Sequence, residues 1–299
     1  MSSSIKVLVL RINVYAEVVG SMTRRGRQGS KPFLHSRRAI ALPVTFLMLF
    51  VSLIILVTAT YYFSITRISA KTLALKTTGI EQEMLSFEKA VKFVSWSPGA
   101  YEIYEFGDFG GKFRAVPAAR PLILNVTDSS SFYDVFFNSS VGKALYELPP
   151  SDEAVDDLFL KGDSRAIVNQ SASTMTQLYI SRGAEGYEIA LSYRPLVSSA
   201  IAGSSGGKPV NSLRVYIVSF NTSESITRLG NFRLKVGCLN VASGLRTYDF
   251  ISQIDSISIR SDLDGVINTV SLPISSNAQG AIVNLETIVC SVRMEDVGW

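Results

Sequence analysis

The sequence predicts an α+β protein, in which a long N-terminal transmembrane helix continues into an extracellular, antiparallel β-rich head of sandwich-like architecture. Three observations support this fold class. Residues 39–66 carry no charged side chain, residues 67–96 place apolar side chains at helical spacing, and apolar and polar residues alternate in several segments after Tyr101. A period near 3.6 residues is typical of a helix with one buried face, whereas a period of two is typical of a half-buried strand.

Basic residues are concentrated before the apolar stretch. The whole sequence has a net charge of +4. Residues 1–38 contain eight basic residues and one acidic residue, so this segment carries +7 and the remainder carries −3. Lysine and arginine accumulate on the cytoplasmic side of membrane helices because they resist translocation. We therefore expect residues 1–38 to be a cytoplasmic leader, residues 67–299 to be extracellular, and no nucleic acid to be bound.

Residues 39–66 have the length and composition of a membrane-spanning helix. At 1.5 Å per helical residue the stretch extends over roughly 40 Å, which exceeds the ~30 Å hydrocarbon core of a bilayer. A buried core helix is a poor alternative, because such helices seldom run so far without a polar face. The membrane is thus the first predicted partner of the chain.

The junction before this stretch, RRAIALPV at residues 37–44, resembles the class III signal of type IV prepilins and archaellins. In that family a basic pair and a small residue precede the cleavage site, and an apolar helix follows it. The resemblance implies that Arg37, Arg38 and Ala39 precede the cut. A prepilin peptidase would then leave Ile40 as the first residue of the mature chain.

The resemblance extends from residue 37 to about residue 95 and departs from the bacterial pattern at one position. An early proline is usual in the mature helix, and Pro43 provides it. Proline is tolerated near a helix start because the first N–H groups have no helical partner. Bacterial members usually have glutamate at the fifth mature position, where this chain has Val44. Archaeal members commonly lack that glutamate, so the departure indicates an archaeal pilin-like protein.

Two other fates of the apolar stretch stay open. A permanent anchor would keep residues 1–38 attached and needs no special residues. A secretory leader would be cut after residues 57–59, although the apolar region of such leaders spans only about 7–15 residues. Translation could start at Met1 or at Met22, since the first 21 residues do not resemble a leader.

The helix is predicted to continue outside the membrane over residues 67–97. One face is apolar, with side chains spaced by three, four and seven residues: Leu73, Ile80, Met84, Phe87, Val91 and Val94. The charged side chains are expected largely on the other faces: Lys76, Glu83, Glu88 and Lys89. Ser97-Pro98-Gly99 ends the helix. Such a helix can be the spine of a filament subunit, a simple stalk, or a cover for one sheet of its own domain.

Residues 100–299 are predicted to form the β-rich head. The segment 187–194 alternates between apolar and polar residues and is expected to pair with residues 174–181 in a hairpin. A second hairpin is expected over residues 256–274, where Asp264-Gly265 suits the positive φ angles of a tight turn. The Gly- and Ser-rich segment 200–210 is either a linker between two subdomains or the loop of a long hairpin.

Two cysteines and four glycosylation motifs fall in the predicted extracellular part. Cys238 and Cys290 lie on the apolar phases of two predicted strands, so they can form one disulfide or remain two buried thiols. The motif N-x-S/T occurs at four positions: Asn125, Asn138, Asn169 and Asn221. These motifs are compatible with a surface glycoprotein, although a serine-rich chain contains several by chance.

No arrangement of residues predicts catalysis. Ser205 lies in GSSGG, which matches the nucleophile elbow of hydrolases, but the only histidine, His35, is predicted on the other side of the membrane. Zinc motifs are missing, and the Asp264-Gly265 turn lacks the twelve-residue calcium pattern. Acids that could still meet in space are Glu102, Glu105, Asp108 and Asp134. We expect no enzymatic activity, no metal site and no cofactor.

The leading hypothesis is a cell-surface structural subunit of the type IV pilin-like kind, held in the cell membrane with its N-terminus inside. The resemblance implies two further partners, namely a prepilin peptidase and other pilin-like subunits or further copies of this chain. The rival hypothesis is a single-pass, membrane-anchored extracellular binding or sensory domain that does not polymerise. Its ligand would bind to loops such as residues 127–140 or 199–212.

Overall fold

A computed structural model of the chain describes residues 37–128, 132–148, 158–171, 174–183, 186–221 and 224–298. The chain divides into two compact units, Met1–Thr66 and Arg67–Trp299. Residues 1–36 of the predicted leader, with His35 and the alternative start Met22, lie outside the described residues.

The described part of the first unit is helical. It belongs to α1 (Arg37–Val94), a helix of 58 residues that contains Pro43. Within the described residues there is one helix, Pro43–Val94, that is long and apolar enough to cross a membrane. Its large apolar side chains are exposed: Val44, Phe46, Leu47, Met48, Leu49, Phe50, Val51, Leu53, Ile54, Ile55, Leu56, Val57, Tyr61, Tyr62, Phe63 and Ile65.

The second unit combines the C-terminal part of α1 with fourteen strands in the described part of the chain. These are β1 (Tyr101–Phe106), β2 (Lys112–Thr127), β3 (Tyr133–Glu147), β4 (Leu158–Lys161), β5 (Val168–Asn169), β6 (Thr176–Arg182), β7 (Tyr187–Tyr193), β8 (Leu196–Ser205), β9 (Lys208–Phe220), β10 (Ile226–Leu229), β11 (Phe232–Phe250), β12 (Ser256–Leu263), β13 (Val266–Pro273) and β14 (Ala281–Asp296). A long helix followed by a β-rich domain confirms the α+β class.

The strands form two sheets. One has the order β1-β11-β14-β9-β8-β5, and the other has the order β13-β12-β2-β3-β7-β6-β4, with β10 paired to β2. Most pairs are antiparallel, as predicted, but β14 pairs with β9 in parallel, and so does β5 with β8. Parallel neighbours need a long connection. Between β9 and β14 the chain supplies one, because four strands of the fold, β10 to β13, intervene.

Both predicted hairpins are confirmed. Strands β6 and β7 pair over their full length, from Thr176 opposite Tyr193 to Arg182 opposite Tyr187. Strands β12 and β13 are joined at Asp264-Gly265, which have φ angles of 58° and 81°. The segment 200–210, the candidate linker, contains the turn between the antiparallel strands β8 and β9.

Two groups of buried side chains make up the core of the second unit. The helix-side cluster contains the buried face of α1 and the facing residues of both sheets, among them Phe106, Phe113, Leu191, Val236 and Val292. The sheet-side cluster contains no helical residue and lies between β2, β3 and β12 of one sheet and β8, β9 and β14 of the other. The sheets therefore pack on each other at one end of their long strands and on the helix at the other.

Candidate functional site

The C-terminal part of α1 is embedded in the head, and this attachment is the candidate site. The apolar face predicted from the sequence is confirmed, since five of its side chains are 0% exposed: Ile80, Met84, Phe87, Val91 and Val94. The side chain of Leu73, the sixth member, lies outside the described part of the chain. Residues on this face are three or four apart, as expected for one side of a helix.

Phe87 lies at the centre of an aromatic group that joins the helix to the sheets. Its ring centroid is 5.5 Å from Tyr104, 5.1 Å from Phe106 and 5.7 Å from Phe113. Such tilted and edge-on pairs contribute about 0.5–1.5 kcal/mol each beyond the burial of area. About two turns earlier, Gly79 makes room for another ring, since a Cβ there would lie 2.5 Å from an edge atom of Phe109. The attachment thus depends on close aromatic packing.

Glu88 corrects one detail of the sequence analysis, because it is 0% exposed rather than on an outer face. Its spacing from Met84 and Val91 is four and three residues, so the periodicity itself places it on the buried side. The carboxylate accepts hydrogen bonds from Thr176 Oγ1 at 2.6 Å and from Lys161 Nζ at 2.5 Å. A buried charge needs such partners, because desolvation without them is very costly.

Tyr193 brings a second buried polar group close to this carboxylate. Its hydroxyl has no hydrogen-bond partner among the described residues. Burial raises the pKa of Tyr193 well above its ordinary value, and the negative charge of Glu88 adds to the effect. The neutral phenol is therefore the form that the folded head holds.

Arg194 is a further buried residue that the sequence analysis did not single out. It is 1% exposed and donates to the carbonyl groups of Asp163, Arg165 and Thr174. It also pairs with the carboxylate of Asp163. Hydrogen bonds from Arg165 and then from Arg194 lower the pKa of this carboxylate. These contacts fasten the loop before β5 and the segment before β6 to the end of β7, and no local sequence pattern indicates them.

The two cysteines lie side by side, next to the C-terminal end of α1. Cys238 is on β11 and Cys290 is on the neighbouring strand β14, and their Sγ atoms are 3.6 Å apart. Both are free thiols and both are buried, at 3% and 0% exposure. The backbone N–H of Trp96, just after the helix, donates to Cys290 Sγ at 3.4 Å. The predicted inward orientation of both cysteines is confirmed.

The four glycosylation motifs differ in exposure. Asn138 on β3 and Asn221 after β9 are exposed, and Asn169 on β5 is half-buried. Asn125 is buried within β2 at 7% exposure, and its Nδ2 faces the hydroxyl of Tyr133 at 3.4 Å. A glycan needs its amide nitrogen in solvent, so the proposed site at Asn125 does not fit the folded head.

The candidate catalytic residues are distributed over several elements: Glu102 and Glu105 on β1, Asp108 in the loop after it, Asp134 on β3 and Ser205 at the end of β8. Ser205 lies at the exposed turn between β8 and β9. Three of the acids have separate neighbours: Glu105 pairs with Arg233, Asp108 caps the N–H of Gly110, and Asp134 binds Arg246 and Tyr248. The residues that the structure describes contain no group of three metal-binding side chains.

The surface of the described residues has open cavities of about 220–330 Å³. One, of about 330 Å³, is lined by Trp96, Gln170, Met175, Leu196 and Tyr216. The rings of Trp96 and Tyr216 meet edge to face at a centroid distance of 5.6 Å. No charged residue lines this cavity, so its surface offers apolar and aromatic contacts rather than acid–base groups.

The predicted processing residues, Arg37 to Ile40, lie in the first turn of α1. After these residues, hydroxyl groups in the apolar stretch donate hydrogen bonds to backbone carbonyls of the same helix. Ser52, Thr58 and Thr60 each donate to a carbonyl three or four residues earlier, at 2.7–2.9 Å. Polar side chains in a bilayer need such internal partners. The helix thus satisfies these hydroxyls without water.

Similarity to known proteins gives no further guide to this arrangement. Comparison with models of protein families, with curated proteins and with solved structures finds no match for the chain. The function proposed for it therefore rests on its own residues.

Proposed function

We propose that the chain is a membrane-held surface subunit of the type IV pilin-like kind, whose N-terminal helix assembles with other subunits and whose β-rich head faces the outside. The observation that carries the proposal is α1 itself. Its residues 44–65 expose mostly apolar side chains and no charged one, whereas its residues 80–94 bury one face in the head. An apolar surface of this extent needs lipid or neighbouring apolar helices around it.

The position of Pro43 supports processing between Ala39 and Ile40. In α1, which begins at Arg37, Pro43 is the seventh residue, where a missing N–H removes a helical hydrogen bond at a cost of about 3 kcal/mol. In a chain that begins at Ile40 it is the fourth residue. The first four N–H groups of a helix have no helical partner, so proline then costs no hydrogen bond.

The first test is the N-terminal residue of the membrane-extracted protein, determined by intact mass and terminal peptide sequencing. We expect Ile40. Ala39→Leu should block cleavage, because the resemblance implies a small residue before the cut, and the leader should remain attached. Ala41→Leu makes the same change two residues later and should be processed normally.

Other starting residues would contradict the proposal. Met1 or Met22 would mean that the leader is retained, which favours the anchored binding or sensory domain. Thr60 would mean a secreted protein and would exclude both hypotheses.

Assembly is tested separately by cross-linking in intact cells. Leu75 lies on α1 and is 74% exposed, so a cysteine placed there should react with a membrane-permeant bismaleimide. The native cysteines are buried and should not react with the bismaleimide. We expect Leu75→Cys to give covalent oligomers. Ile251→Cys, at an 85% exposed position after β11, controls for random collision. Equal yields for the two variants would count against packing through the helix.

A further inference from the structure

We propose that Cys238 and Cys290 become joined by a disulfide during folding of the exported head, before β11 and β14 pair, and that the bond is then sealed in the core. The two sulfur atoms already touch, at 3.6 Å, and bond formation requires them to approach to about 2.05 Å. The inference goes beyond the proposed function and holds for either fate of the leader.

A β-bulge lies next to one of the cysteines. Along β11 the pairing with β14 shifts after Cys238, which lies opposite Val292, so that Val241 lies opposite Cys290. Leu239 is the extra residue. A bulge bends its strand and re-aims neighbouring side chains. This irregularity gives β11 the local freedom to close the remaining distance between the sulfurs.

Oxidation of the finished head would be slow. The thiolate is the nucleophile in disulfide exchange, and a disulfide reagent must reach it. Burial raises the pKa of Cys290 from 9.0 to about 11, which lowers its thiolate fraction at neutral pH about a hundredfold. With 0–3% exposure, neither sulfur can be approached. The bond therefore has to form while the segment between the cysteines, which includes β12 and β13, is still unpacked.

The reaction requires an oxidant, and the chemical class that fits is the disulfide of an extracytoplasmic dithiol oxidoreductase. One cysteine thiolate attacks a sulfur of that disulfide, giving a mixed disulfide and releasing one thiolate of the oxidant, which takes up a proton. The second cysteine loses its proton to solvent and attacks the chain's sulfur in the mixed disulfide. The chain gives up two electrons and two protons, and the oxidant ends as two thiols.

The test begins with the full-length chain extracted from membranes in detergent with iodoacetamide present. The sample is then unfolded in guanidinium without reductant, alkylated again and measured by intact mass. We expect no adduct, and two adducts after reduction. Two adducts without reduction would show free thiols and overturn the proposal. Cys238→Ser should accept one adduct without reduction, which verifies that alkylation is complete.

A kinetic arm tests the order of events. The purified chain is reduced in denaturant, and one portion is refolded in detergent under reducing conditions. Oxidised glutathione is then added to the refolded and to the unfolded sample. We expect oxidation of the refolded chain to be at least a hundredfold slower. Similar rates would show that the sulfurs are reachable in the folded head and would contradict closure before pairing.

Discussion

Replacing Phe87 with alanine is expected to destabilise the head by about 3–5 kcal/mol, the usual cost of removing a buried ring. The side chain is 0% exposed and contacts three rings, those of Tyr104, Phe106 and Phe113. Those rings come from two different strands, so they cannot all close on the space that the ring leaves. The change also removes the aromatic contacts that join the helix to β1 of one sheet and to β2 of the other.

The measurement is urea unfolding of the detergent-solubilised chain, followed by tryptophan fluorescence. Trp96 is a suitable reporter because it lies directly after α1 and packs against Tyr216. Phe93→Ala is the matched control, since Phe93 is on the same helix but 75% exposed. It should change stability by no more than about 0.5 kcal/mol. Similar midpoints for the two variants would contradict the burial of one helix face.

Periodicity was sufficient to predict the buried face of α1, because a helix that packs on one side must repeat its apolar residues every three or four positions. Met84, Phe87 and Val91 follow that rule. The turn at Asp264-Gly265 was equally predictable, since the two residues that tolerate positive φ stand between two alternating segments. In both cases the information is local.

Contacts between residues far apart in the chain could not be read in the same way. The charge of Glu88 predicts an outer face, whereas the partners that allow its burial, Lys161 and Thr176, are 73 and 88 residues away. The parallel pairing of β9 with β14 is also non-local, since alternation identifies strands but not their neighbours. Asn125 has a glycosylation motif, and a motif of three residues carries no information about burial.

The polar attachment at Glu88 leads to the second large effect. Glu88→Ala is expected to cost about 2–4 kcal/mol, less than the upper values for a broken buried ion pair. Thr176 is 2% exposed, and its hydroxyl would lose its acceptor. Leaving a buried donor unsatisfied costs about 1–3 kcal/mol of stability. Lys161 is 31% exposed, so its ammonium can turn toward water and limits the loss. Glu88→Gln keeps an acceptor for Thr176 and should cost less than Glu88→Ala.

A double-mutant cycle with Lys161→Ala separates the ion pair from the rest of this effect. The pair at Lys161 and Glu88, whose carboxylate is 0% exposed, should show a coupling free energy above about 1 kcal/mol. The comparison pair, Arg214 and Glu286, is 53% and 31% exposed and should show at most about 1 kcal/mol. If the buried pair were no more strongly coupled than the exposed one, Glu88 would act through its packing and its bond to Thr176 alone. The helix would then be held in the head by apolar contacts and by hydrogen bonds such as those from Thr176 to Glu88 and from Tyr104 to the carbonyl of Glu83, without a contribution from the Lys161 ion pair.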